Sequence, residues 1–145
     1  MSELTLEKAQ AMVAAALAHA RAAKFQPLAV AVLDARGVLK AFAAEDGTSL
    51  RRAEIAHGKA HGAISMGIGS RALARTAAER PHFVAAVTHA VGGSLIPVPG
   101  GVLIRSGAGA VLGAVGVTGD TSDNDEAAAL AGIKAAGFTA DPGAG

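Results

Sequence analysis

Apolar residues Leu6, Ala9, Val13, Ala16, Leu17 and Ala20 recur every three or four positions, the spacing that lines one face of an α-helix. Alanine is dense around them, so the pattern predicts an amphipathic helix within residues 4–24, with Thr5 as its cap and Pro27 beyond its end. The pattern then changes. Residues 28–33 and 38–43 are short apolar runs on either side of Asp34-Ala-Arg-Gly, whose glycine can take a positive φ, and they read as a β-hairpin. A second helical pattern covers residues 49–68, with Thr48 or Ser49 available to cap it, and a shorter one covers 70–79 and ends before Arg80-Pro81.

Residues 82–93 carry no clear period. After them come three extended runs, 94–97, 101–106 and 111–118, punctuated by Pro99-Gly-Gly and Gly107-Ala-Gly. In the last run strict alternation places Val111, Gly113, Val115 and Val117 on one face and Leu112, Ala114 and Gly116 on the other. Small residues there let a helix or a ligand approach the strand closely, helix packing being the ordinary use. A final helix spans 122–136; Ser122-Asp-Asn-Asp has the form of a capping box, and acids in its first turn suit the helix dipole. Two groups of strands between helices predict an α+β domain with a five-stranded, mostly antiparallel sheet flanked by helices. One domain over residues 1–140 and a short flexible tail over 141–145 follow from the length of 145 residues and the Asp141-Pro-Gly-Ala-Gly ending.

Composition narrows the functional classes. The chain is 51% hydrophobic, but 37 alanines and 19 glycines make much of that side-chain volume small, and only four aromatic residues, all Phe, are present. Stacking platforms for single-stranded nucleic acid are therefore lacking. A net charge of +1 supplies no electrostatic footprint for a phosphate polymer, so nucleic acid is not an expected partner. With no cysteine, disulfides, thiolate metal sites and cysteine nucleophiles are excluded together. The first ten residues mix charges instead of forming a basic start and an apolar run, and no apolar stretch reaches the roughly 20 residues of a membrane helix. These features predict a cytoplasmic protein without a membrane partner.

The second helix carries the most informative chemistry. At 100° per residue its apolar positions cover an arc of about 200°, and Lys59 falls inside that arc. A lysine there either pairs with a built-in carboxylate or helix-end carbonyls, or points into a pocket to bind an acidic ligand or act as a base. His57 and His61 stand four apart on the same helix, close enough for metal or heme-iron ligation, although no third ligand motif follows. His19 is placed on helix surface; His82 and His89 bracket the unassigned segment and could line a cleft. Gly100-Gly101 signals a tight turn with close backbone approach. Asp120, Asp123, Asp125 and Glu126 form the acidic cluster, accounted for by a helix's first turn or, as the alternative, by metal binding. No Walker motif, hydrolase elbow or Ser-His-Asp order is present.

Taken in order, Pro99-Gly-Gly-Val-Leu-Ile, Leu112-Gly-Ala-Val-Gly-Val-Thr-Gly-Asp and Asp125-Glu-Ala-Ala-Ala resemble the signature run of the GlcG/HbpS-like family, which includes heme-binding proteins and the C-terminal domain of PduO-type proteins. Asp34-Ala-Arg-Gly, Ala56-His-Gly-Lys-Ala and Pro81-His-Phe are similar to weaker features of that family, so the resemblance covers nearly the whole chain. It implies a profilin-like α-β-α fold, self-association, and binding of heme or another tetrapyrrole. Lys59 corresponds to the family's helix lysine, and Gly100, Gly101, Gly119, Asp125 and Glu126 match its later motif. Leu103 departs from the proline many relatives carry, and the His57/His61 pair lies outside the pattern.

Two functional expectations follow, with a third beside them. In the first, the chain is a homo-oligomeric small-molecule-binding protein that holds heme in a cleft between sheet and helices, with Lys59, Gly100, Gly101, Gly119 and His89 around the ligand and His57 or His61 on the metal. In the second, it is an enzyme acting on a small acidic or carbonyl metabolite, with Lys59, Asp125 and Glu126 as its acid/base groups. The third is an accessory oligomer without a ligand.

Overall fold

A computed structural model describes residues 3–143. Helix α1 (Leu6–Ala22) opens the chain, followed by the hairpin β1 (Ala29–Asp34) and β2 (Leu39–Ala44). Then come α2 (Arg52–Met66), α3 (Ser70–Glu79) and α4 (Pro81–Ala90), strands β3 (Gly101–Arg105) and β4 (Val111–Thr118), α5 (Ser122–Ala135) and β5 (Thr139–Asp141). All four strand pairings are antiparallel, in the order β2-β1-β4-β3-β5. The α+β class and the five-stranded sheet expected from the sequence are present.

Strand alternation sorts the two faces of the sheet. Val30, Val32, Val102, Ile104, Val115 and Val117 join Met12, Ala16, Ala129 and Ile133 in a core with α1 and α5. On the opposite face, Ala29, Ala31, Leu33, Leu103 and Ala114 meet Ala56, Ala60 and Ala63 of α2. The domain is thus three layers, α-β-α. Its second helical layer sits unusually close to the sheet because residues there lack bulk: a Cβ on Gly116 would lie 1.9 Å from the Ala56 carbonyl oxygen, and one on Gly101 2.2 Å from that of Lys59.

Several local expectations are corrected. Residues 94–97 form no strand of the sheet; Pro97 and Pro99 lack donors, and the segment instead runs as a strap along α2, Ile96 N–H donating to the Gly58 carbonyl at 3.1 Å. The fifth strand is β5, so Asp141, assigned to a tail, pairs with Leu103 at the sheet edge, and Pro142 O accepts from Arg71 N–H. The last two tail residues, 144–145, lie outside the described residues. The unassigned stretch 82–93 is mostly α4, started by Pro81 in its first turn. In β4 a bulge opposite Ile104 and Arg105 inserts Leu112, so Val111 packs with the α2-side cluster and Leu112 with the α1/α5 core, the reverse of strict alternation.

The caps move too. Thr5 caps α1 as expected, its hydroxyl accepting from Lys8 N–H at 3.2 Å. Helix α5, however, is capped by Thr121 and not Ser122, its hydroxyl accepting from Asn124 N–H at 3.2 Å. Helix α2 starts at Arg52, and its N-cap Arg51 makes no side-chain cap, so neither Thr48 nor Ser49 fills that position.

Candidate functional site

Lys59 is drawn inward as the helical arc requires, and it is only 2% exposed. Its Nζ donates to the Val117 carbonyl at 2.9 Å and to Asp125 Oδ2 at 3.0 Å. The opening that admits it is glycine: a Cβ on Gly100, which has φ +124°, would stand 2.9 Å from that Nζ. Asp125, 1% exposed, also accepts from the Asp120 N–H at 2.9 Å. Burial pushes the Lys59 ammonium below its ordinary range and the Asp125 carboxyl above its own, while the attraction between them opposes both shifts. Arg52, which donates to Thr118 Oγ1, adds a smaller downward push on Lys59. The negative group facing Lys59 is therefore part of the chain, as in the first of the two readings of that lysine.

Glu126 does not join this pair. Its carboxylate takes a two-pronged bond from Arg71 of α3, at 2.9 and 3.1 Å, and Asp123 binds the same guanidinium. Those two carboxylates raise the Arg71 pKa above its ordinary value. Gly100 and Gly101 give room to Lys59 and α2, and Gly119, at φ +140°, passes against the Pro27 carbonyl. Asp120 accepts from Gln26 N–H, Thr121 N–H and the Asn124 amide, tying the start of α5 to the segment before β1. The acidic cluster thus serves the helix end and two cations.

A cleft opens on the other side of α2. Ala53, Glu54, Ile55, His57 and Gly58 form one wall, and Gly92, Gly93, Ser94 and Ile96 of the strap form the other, around a volume of about 540 Å³. That volume lies within the span usual for small-molecule sites. Gly58 and Gly62 are buried because the strap lies on them: a Cβ on Gly58 would meet Ile96 at 2.6 Å, and one on Gly62 would meet Leu95 at 2.8 Å.

Of the sequence candidates, His57 reaches this cleft. Its ring stacks on that of His61, with centroids 5.4 Å apart and planes 17° from parallel. His57 Nδ1 lies 2.9 Å from Ser94 Oγ, and His61 Nδ1 lies 2.9 Å from the Ser94 carbonyl oxygen. Burial, and then the neighbouring His61, lower the His57 pKa, favouring the neutral ring. Among the described residues no third His, Asp or Glu gathers with them to form a metal cluster. Lys59, Asp125, Glu126, Gly100, Gly101, Gly119 and His89 are not among the cleft's lining residues. His82 and His89 stand exposed at opposite ends of α4. Glu54, which lines the cleft, is paired with exposed Arg51 at 2.6 Å.

Ser94 and Ile96 are the functional candidates that sequence reading missed. Their signal was the paired Gly92-Gly93 before them and the prolines after, which mark a segment unable to join a sheet. Among the described residues no helix is long and apolar enough to cross a membrane.

A family model described as "Haem degrading protein HbpS-like" matches residues 4–134. Among solved structures the chain is similar to a double mutant of Streptomyces reticuli HbpS, with 28% identity, coverage of 92% of this chain and 87% of that one, and a TM-score of 0.77. It is similar to the Klebsiella pneumoniae protein ORFY at 25% identity, covering 94% and 92% of the two chains with a TM-score of 0.81. It shares its fold with the protein of a PduOC:heme complex, at 21% identity, 94% and 97% coverage and a TM-score of 0.83. No curated protein matches the chain.

Proposed function

The chain belongs to the HbpS-like family, and on that premise we propose that it binds heme in the cleft between α2 and the strap, with His57 as the imidazole facing the ligand. The observation that carries this reading is an imidazole, bonded through Nδ1 to Ser94 and set in the wall of a cleft otherwise lined largely by Ala53, Ile55, Ile96 and three glycines; its burial favours the neutral ring. Glycine walls leave room for a flat ligand, the aliphatic side chains supply apolar contact, and a neutral ring keeps a lone pair for iron. Arg51, the partner of cleft-lining Glu54, is the cation for a carboxylate of the ligand, in exchange for Glu54. Bound heme would supply a redox-active iron; the chain's own part is to hold and orient the macrocycle.

The relatives lend support of the same kind, since one protein of this fold was crystallised with heme. The enzyme reading centred on Lys59 draws less, because that ammonium is already engaged by Asp125 and Val117, and Glu126 by Arg71. A cytoplasmic, self-associating protein remains part of the proposal; Leu39 and Phe42, exposed on the edge strand β2, support the self-association.

Titration with hemin tests the reading. The expected result is a saturable Soret band at micromolar protein, with affinity cut at least tenfold and the band displaced in His57→Ala. Absence of saturable binding, or a His57→Ala variant with unchanged spectrum and affinity, would overturn it.

A further inference from the structure

The heme-binding reading leaves one question about its own imidazole: which ring nitrogen of His57 carries the proton. An iron takes the lone pair of a ring nitrogen, so the answer decides whether the ring is ready to bind. His57 and His61 present their Nδ1 atoms to one residue, Ser94, at 2.9 Å each. For His61 the nearer partner is the Ser94 backbone carbonyl, which only accepts; the Ser65 hydroxyl lies farther off, at 3.4 Å, so the shorter bond assigns the hydrogen to Nδ1 and the lone pair to Nε2. His57 faces the Ser94 hydroxyl, which can donate or accept. Neither Nε2 atom has a hydrogen-bond partner within the described protein, and neither is a buried orphan.

Ser94 is itself held firmly. Two residues later Ile96 N–H is bonded to the Gly58 carbonyl, and Leu95 between them packs on Gly62. The strap enters through Gly92 and Gly93 at φ +88° and +92°, conformations that any other residue would resist. One anchored residue therefore sets both stacked rings before any ligand arrives.

Resting on the heme-binding reading, we propose that Ser94 is the positioning residue of the site. Its hydroxyl accepts the His57 Nδ1–H, its carbonyl accepts the His61 Nδ1–H, and His57 is thereby fixed with its Nε2 lone pair directed away from the strap residue and free for the ligand. This is the outer-shell arrangement by which a hydrogen bond on one ring nitrogen selects the tautomer that binds through the other.

Long-range proton–nitrogen spectra of the imidazoles, recorded on the heme-free full chain at a pH where both rings are neutral, read the tautomers directly. The expected result is Nδ1–H on both rings in the wild type. Ser94→Ala should shift His57 towards the other tautomer and leave His61, bonded to the backbone, unchanged; Ser94→Thr should restore His57. The unchanged His61 signal also reports that the strap is still in place. If wild-type His57 carries its proton on Nε2, or if Ser94→Ala leaves its tautomer as it was, the proposal is overturned. With hemin, Ser94→Ala should bind about ten- to a hundredfold more weakly and Ser94→Thr close to wild type. Failure of the wild type to bind hemin would refute the heme reading alone, since the tautomer experiment contains no heme.

Discussion

On one side of α2, Ala56, Lys59, Ala60 and Ala63 press onto strands β1, β3 and β4; on the other, His57, Gly58, His61 and Gly62 meet the strap, with the His61 ring also beside Gly37 of the β1–β2 turn. Both sides use small residues for close approach, yet to different ends. Against the sheet the neighbours are backbone atoms fixed in a ladder, and the polar group admitted there, Lys59, is matched by its own carboxylate. Against the strap the tightest approaches are to side-chain atoms of Ile96 and Leu95, the backbone bonds are few, and the Nε2 atoms of His57 and His61 have no partner among the described residues. One helix can thus pack a neutralised charge against the sheet and still present unbonded ring nitrogens on its opposite side.

The largest test of this contrast is Lys59→Met, which strands Asp125 in the interior. Unfolding by urea should show a loss of about 3–5 kcal/mol, the usual effect of breaking a buried ion pair on one side, and Lys59→Met with Asp125→Asn should recover part of it. Next come paired glycine substitutions on the two sides. Gly116→Ala drives a Cβ into the Ala56 carbonyl and should cost about 1–3 kcal/mol. Gly58→Ala meets the Ile96 side chain and gains helix propensity, so its net change should stay within about 1 kcal/mol while hemin affinity falls as the strap is displaced. Equal losses for the two would break the contrast.

The smallest effect concerns acid. Bonds from Gln26 N–H first, then Thr121 N–H and Asn124, hold the Asp120 carboxyl below its unfolded value of 3.8. Its contribution is therefore complete above that value and is lost as pH falls through the folded-state pKa, so stability should decline below about pH 4. Asp120→Asn should be less stable near neutrality and show a shallower acid decline in thermal melts recorded across that range.

Much of the scaffold was legible in the sequence. The three-and-four spacing in α1 and α2, the Asp34-Ala-Arg-Gly hairpin, and the small-residue strand β4 each announce themselves through local periodicity. The inward direction of Lys59 was legible for the same reason. Its partner was not, because Asp125 lies 66 residues away and its acidic neighbours explain themselves as a helix start. The strap looked like a strand because extended backbone and sheet membership share one pattern, and only donor-free prolines separate them. Strand β5 is three residues long, too short to show alternation, and the Leu112 bulge breaks the period on which the β4 facing was argued.

Lys59 belongs to the helical layer on one side of the sheet and Asp125 to the layer on the other, and they meet at an opening that the glycines at positions 100 and 101 leave clear. The two outer layers are thus buttoned together around the end of strands β3 and β4. Peeling either one away would leave a lone charge in the remainder, so amide protons of α2 and α5 should exchange in a single cooperative event, without a half-open form that keeps one layer and sheds the other.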